Sequence, residues 1–225
     1  LDLFGEDYAL ISTHGTWSMD RLIEETPINH NKIVVSDNHG ARGFYHNPAI
    51  MIKEKEATYK SGDVFGLSLI YSGNFSFEVG QDDLNQTRII AGINPETFNF
   101  KLSKGETFIT PECVLAFSDK GINGVTQTLH DFAREYIIPK KFVNVERPIL
   151  INSWEAYYFD FDTLKIKKLI DEAKELGIEM VVLDDGWFGK RNDDKTSLGD
   201  WELNLEKINL EEVIDYAHKQ KMKFG

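Results

Sequence analysis

The stretch "VVLDDGWFGKRNDDKTSLGDW", residues 181–201, sets two adjacent carboxylates, Asp184 and Asp185, where an apolar run stops, with Gly186 and Trp187 directly behind. The pattern around it is regular. "RPILINSW" (147–154) reads as a strand of nearly continuous apolar residues. "TLKIKKLIDEAKELG" (163–177) carries Leu164, Ile166, Leu169, Ile170, Ala173 and Leu176 as a helical stripe, which Gly177 stops. "IEMVVLDD" (178–185) is a second strand, "NLEEVIDYAHKQK" (209–221) a second helix and "MKFG" (222–225) the start of a third strand. Strands that are apolar throughout and alternate with amphipathic helices predict parallel pairing in a barrel or a doubly wound sheet.

Ligands of parallel α/β sheets bind beyond the carboxyl ends of the strands. Trp154 follows the first strand as Asp184 and Asp185 follow the second, so the three are expected to line one mouth. Two like charges at a strand end repel, and in a cleft each also loses hydration, so a partner outside the chain is expected to offset that cost. Trp154, Trp187 and Trp201 lie near Glu155, Asp184, Asp185 and Asp200. Aromatic faces beside short carboxylates suit a polyhydroxylated ring, which stacks through its C–H face and donates its hydroxyls. The two aspartates do not suit the acid and nucleophile of a glycosidase. Consecutive α-carbons lie about 3.8 Å apart with side chains diverging, whereas a retaining pair flanks one carbon at about 5 to 5.5 Å. A double Asp at a strand end also serves as a turn or helix cap, and Trp187 and Trp201 also suit packing; at this level both readings stand. Asp193, Asp194 and Asp200 miss the calcium-loop register at Lys195 and Ser197, and the six histidines show no paired metal spacing.

The half before about Gly121 has a different period. Short apolar or alternating runs, among them "KIVVSDNHG", "VFGLSLIYSGN", "FSFEVGQDD", "TRIIAGINP", "TFNFKLSKGE" and "TFITPECVLAFSDKG", are separated by turn residues, which predicts an antiparallel sandwich or barrel. In "GINGVTQTLHDFAREYIIP", residues Val125, Leu129, Phe132, Ala133 and Tyr136 fall at helical spacing up to Pro139, which predicts a helix bridging the halves.

The net charge of −12, with no basic stripe, disfavours nucleic acid and anionic membranes as partners. No apolar run approaches the roughly 20 residues of a membrane helix. The single Cys113 makes no intramolecular disulfide, so the cytoplasm is the expected location. The chain opens without Met on "LDLFGEDYAL" and stops on "KMKFG", and a fragment of a longer polypeptide is expected.

The residues also carry a family resemblance. "RPILINSWEAYYFDFD", "LGIEMVVLDDGWFGKRNDD" and "SLGDWELNLEKI" resemble the opening of the catalytic barrel of glycoside hydrolase family 36, the microbial α-galactosidases. "GTWSMDR", "YSGNFSFEV", "GINPETFNF" and "TPECVLAFSDKG" resemble the β-sandwich that precedes that barrel. The resemblance implies a multidomain β and α/β chain. Residues 1–121 are the C-terminal part of a β-supersandwich, 122–146 a linker helix and 147–225 the truncated start of a (β/α)8 TIM barrel. It implies retaining hydrolysis of terminal α-galactosyl residues from melibiose- and raffinose-type oligosaccharides, no metal or cofactor, and a homo-oligomer, either dimer or tetramer. Substrate binding falls on Asp184 and Asp185 of the Leu-Asp-Asp-Gly-Trp motif, on Trp154 and on Trp17 of a Gly-x-Trp motif. Ser153 stands where the family commonly has asparagine, and "WSMDR" replaces a Trp-x-Arg-Glu pattern. The Lys-Trp-Asp segment that carries the family's nucleophile, and the later acid/base aspartate, match nothing up to Gly225, so no catalytic residue is assigned. A raffinose-synthase-type galactosyltransferase, an α-N-acetylgalactosaminidase and a non-catalytic carbohydrate-binding module are the alternatives.

Overall fold

Alternating residues on facing strands build the first half. A computed structural model describes residues 2–4, 7–40 and 45–225, and the chain divides into two units, Leu1–Val143 and Asn144–Gly225. The described strands of the first unit are β1 (Asp2–Phe4), β2 (Tyr8–Thr16), β3 (Met19–Pro27), β4 (Ile33–Asp37), β5 (Ala49–Glu54), β6 (Val64–Ile70), β7 (Phe75–Gln81), β8 (Gln86–Ile93) and β9 (Glu112–Ser118). They form two antiparallel sheets, ordered β3-β2-β5-β6-β9 and β1-β8-β7-β4. Leu10, Ile50, Ile52, Leu67 and Leu69 of one sheet share a core with Leu3, Val35, Phe75, Phe77, Val79 and Ile89 of the other. The period of two puts these residues on one face of each strand and leaves the other face free.

On β6 that other face is used as well. Val64, with Ala116 of β9, packs against Val125 of helix α1 (Gly121–Phe132). A Cβ on Gly66 would stand 2.5 Å from Val125 Cγ1, so the glycine is what lets the helix lie this close to the sheet. The helix expected as a bridge therefore buries its apolar side within the first unit. It passes into a π-helical turn at Ala133–Ile137 before Pro139, and the division between units falls after Val143, inside the segment 122–146 expected as a linker. The segment "TFNFKLSKGE" (97–106), read as a strand, forms none. Its aromatics are satisfied locally, Phe98 and Phe100 lying 5.5 and 4.7 Å from the Phe108 ring, so alternation there reports a small aromatic cluster.

In the second unit β10 (Leu150–Asn152), β11 (Met180–Val182) and β12 (Lys223–Phe224) pair in parallel, in that order. A single turn α2 (Trp154–Tyr157) follows β10, and helices α3 (Thr163–Glu175) and α4 (Leu210–Lys219) form the crossovers. Ile166, Leu169, Ile170 and Ala173 of α3 and Val213 and Ala217 of α4 bury against Val181. Leu164 and Leu176, counted in the stripe, are exposed, because Leu164, two residues before Ile166, falls on the opposite face and Leu176 follows the last residue of the helix. The helices are joined by a Lys167–Glu212 ion pair and by Tyr216 Oη donating to Asp171 at 2.8 Å.

Both helices have side-chain caps. Asp162 Oδ1 accepts from Lys165 N at 2.8 Å, and Asn209 Oδ1 from Glu212 N at 3.2 Å. Asp162→Ala leaves a helix-start N–H without its partner, and a loss of about 1 kcal/mol in urea unfolding is the expected result; no change in midpoint contradicts it.

Candidate functional site

The site grows from the carboxyl ends of β10 and β11. Their register pairs Asn152 with Val182, which sets the residues that follow each strand beside one another. Asn152 is the link. Its Oδ1 accepts from Trp154 N at 2.8 Å and its Nδ2 donates to Asp184 Oδ2 at 2.5 Å. Ser153, 2% exposed, accepts from Asp184 N through its hydroxyl at 3.0 Å. Asp184 Oδ1 in turn accepts from Asp185 N at 2.8 Å. The structure thus brings Trp154, Asp184 and Asp185 together within this unit. The Trp154 ring meets Tyr158 and Phe159 edge-on, at 5.2 and 4.9 Å.

Asp185 faces a different partner. Its Oδ1 accepts from Arg191 Nε at 2.5 Å and from Gly186 N at 2.7 Å. Gly186 sits at φ +92°, and a Cβ there would stand 2.9 Å from Phe159 Cδ1, so the tight turn after the double Asp requires glycine. The loop from Gly186 to Asn209 is closed on itself by a bridge between Phe188 and Leu203 and by Gly189 N donating to Glu202 O at 2.7 Å. Arg191 lies buried within it.

Electrostatics act on Asp185 through a cation on each side. The Arg191 guanidinium holds the Asp185 carboxyl below the usual carboxylate range; burial opposes this and the Gly186 N–H assists it. Burial pushes the Lys207 ammonium down, while Asp185 and Asp160 pull it back up, and Lys207 Nζ stands 4.4 Å from the Phe161 ring centre. Because the folded-state pKa of Asp185 is lowered, its stabilising contribution is present above the unfolded value of about 3.9 and is lost as pH falls through the lower folded value. The expected result is that Asp185→Asn is less stable than the wild type in urea at neutral pH and that the gap narrows on acidification. A gap constant with pH contradicts it.

The remaining candidates are placed as follows. Trp187 packs against the second unit's core, and Trp201, 67% exposed, lies 4.6 Å from the Phe188 ring. Asp193 serves a turn, accepting from Lys195 N and Thr196 Oγ1. Trp17 belongs to the first unit, at the tip of the β2–β3 hairpin beside Ser18 (φ +64°), and is 81% exposed. A groove on the first unit, lined by residues that include His30, Lys32, Glu78, Asp82 and Arg88, has no Trp, Tyr or Phe in its wall. Among the described residues no group of three or more His, Cys, Asp or Glu side chains could hold a metal ion. No helix among them is long and apolar enough to cross a membrane. Sequence reasoning missed Asn152 as the link and Arg191 as the countercharge. An arginine six residues along a polar loop gives no signal of its own, since only the loop's closure brings it back to Asp185.

A family model described as Melibiase matches residues 107–225, and one described as Glycosyl hydrolase family 36 N-terminal domain matches residues 1–103. The chain belongs to glycosyl hydrolase family 36. The family boundary precedes β9, whereas the packing boundary follows α1, because β9 and α1 complete the first unit's sheet and cover it. Family relatives include the bifunctional alpha-galactosidase/sucrose kinase AgaSK of Mediterraneibacter gnavus, 44% identical over 100% of this chain and 24% of its own length. Alpha-galactosidase AgaA of Geobacillus stearothermophilus is 42% identical over 97% of this chain and 30% of its own length. Among solved structures, the galactosidase domain of AgaSK superposes with a TM-score of 0.95 at 44% identity, over 100% of this chain and 32% of that one. A variant of AgaA in complex with raffinose gives 0.95 at 42%, again over 100% and 32%. The chain therefore spans roughly a quarter to a third of these family members.

Proposed function

We propose that this chain is the N-terminal part of an α-galactosidase that removes terminal α-galactosyl residues from melibiose- and raffinose-type oligosaccharides by a retaining, two-step displacement. The observation that carries this is the hydrogen-bonded link from Trp154 through Asn152 to Asp184 and on to Asp185, at the carboxyl ends of parallel strands. An aromatic ring and two carboxylates held on one rigid frame match the apolar face and the donor hydroxyls of a pyranose. The proteins it resembles across its length are named alpha-galactosidases, and one is seen with raffinose.

In this reading Asp184, Asp185, Trp154 and Trp17 are the substrate-binding residues, and the nucleophile and acid/base lie outside these residues. The three parallel strands are the first of a closed eight-stranded barrel, and the working enzyme is a cytoplasmic homo-oligomer, a dimer or tetramer. The test is galactose release from melibiose and raffinose by the longer protein that contains this chain, with sucrose added as an acceptor. Free galactose as the main product supports hydrolysis. Galactosylated sucrose as the main product makes the enzyme a transferase, and no turnover of any α-galactoside ends the reading.

A further inference from the structure

We propose that Arg191 is a positioning residue for sugar binding, occupying one oxygen of Asp185 from the protein side so that the other is left to accept a ligand hydroxyl. The proposal rests on the α-galactosidase reading above. Its observations are separate, since Arg191 touches neither Trp154 nor Asp184 by hydrogen bond and is given no role by the family resemblance.

The geometry is asymmetric at Asp185. Oδ1 takes two donors, Arg191 Nε and Gly186 N. No hydrogen bond reaches Oδ2 from any described residue, and the Asp185 side chain is about a quarter exposed, against 6% for that of Arg191. A carboxylate carries roughly four lone-pair sites, so one saturated oxygen leaves the other with acceptor capacity. Arg191 is itself pinned. Its Nη1 donates to Thr196 O at 2.7 Å, and its guanidinium carbon lies 5.7 Å from the Phe159 ring centre and 5.9 Å from that of Phe188. Phe159 is also the ring that meets Trp154 edge-on. One buried arginine thereby fixes the carboxylate against a ring that supports the candidate sugar platform.

The two neighbouring aspartates are held in unlike ways. Asp184 is held by the neutral amide of Asn152 and Asp185 by a full positive charge, which reduces the repulsion between them. The other charged groups acting on this pair of residues are Lys207 on Asp185 and Asp193 and Asp194 on Arg191. Lysine is not an equivalent substitute, because a point-charge ammonium does not reproduce the planar fork that reaches Asp185 and Thr196 together.

The test is a double-mutant cycle in the longer protein, measuring kcat/KM on p-nitrophenyl α-galactoside and galactose affinity by calorimetry for Arg191→Ala, Asp185→Asn and the double variant. Arg191→Ala is expected to lower both by about 100-fold in the wild-type background and by less than about 3-fold with Asp185→Asn present. Arg191→Lys is expected to recover part of the loss. The acid limb of kcat/KM for Arg191→Gln is expected to move to higher pH, because the carboxylate loses its countercharge. An equal Arg191→Ala loss in both backgrounds, or an Arg191→Gln variant as active as the wild type, overturns the proposal and leaves the α-galactosidase reading intact. A wild-type protein inactive on every α-galactoside removes that reading and this assignment with it. If Arg191→Ala does not fold, Arg191→Gln and Arg191→Lys complete the same cycle.

Discussion

Asp184→Ala in the longer protein is expected to lower kcat/KM on an aryl α-galactoside by roughly 10² to 10⁴, equivalent to about 3 to 5 kcal/mol of transition-state binding. The carboxylate accepts from Asn152 Nδ2 and from Asp185 N, so both its oxygens are oriented before any ligand arrives. A preoriented anion gives charge-assisted bonds to sugar hydroxyls, each worth about 1.5 to 3 kcal/mol, and its removal leaves those hydroxyls unpaired in the site. The substitution also strands the Asn152 amide, so Asp184→Asn belongs beside it, keeping the shape while removing the charge. A thermal midpoint within a few degrees of wild type for Asp184→Asn separates lost binding from lost folding. Unchanged kcat/KM in Asp184→Ala would falsify the ligand role and return the double Asp to a turn.

Phe77→Ala carries the largest expected effect on the first unit. Phe77 is fully buried at the middle of β7, paired across to Val35 of β4 and Ala91 of β8, with Phe75 edge-on at 5.9 Å. It belongs to the core shared by both sheets, so the space it leaves is walled by two rigid ladders that relax only in part. A loss of about 3 to 5 kcal/mol is the expected outcome, a large share of the 5 to 15 kcal/mol that holds an ordinary domain. Urea denaturation reads it directly. A midpoint close to wild type means the sandwich core is organised around other residues.

Sequence periodicity alone separated an antiparallel half from a strand-helix half, because side-chain spacing of two or 3.6 is a local property of the backbone. It placed α3, α4 and the double Asp, and it set Trp154 beside Asp184 through the rule that parallel strands end at one mouth. Periodicity misread "TFNFKLSKGE", since Phe98 and Phe100 alternate as in a strand while their partner is the Phe108 ring nearby in the chain. It also left α1 as a bridge, because amphipathic spacing shows that a helix has an apolar side and not what that side covers. The tertiary structure decided that Val125 lies over Gly66 and that Asn152 joins Trp154 to Asp184. It also decided that Arg191 returns to Asp185. These are pairings across 59, 32 and 6 residues, fixed by strand register and loop closure. Hydropathy along a chain carries no record of distance through space, so the sequence supplied the two carboxylates and the fold supplied the charge that lets them stand side by side.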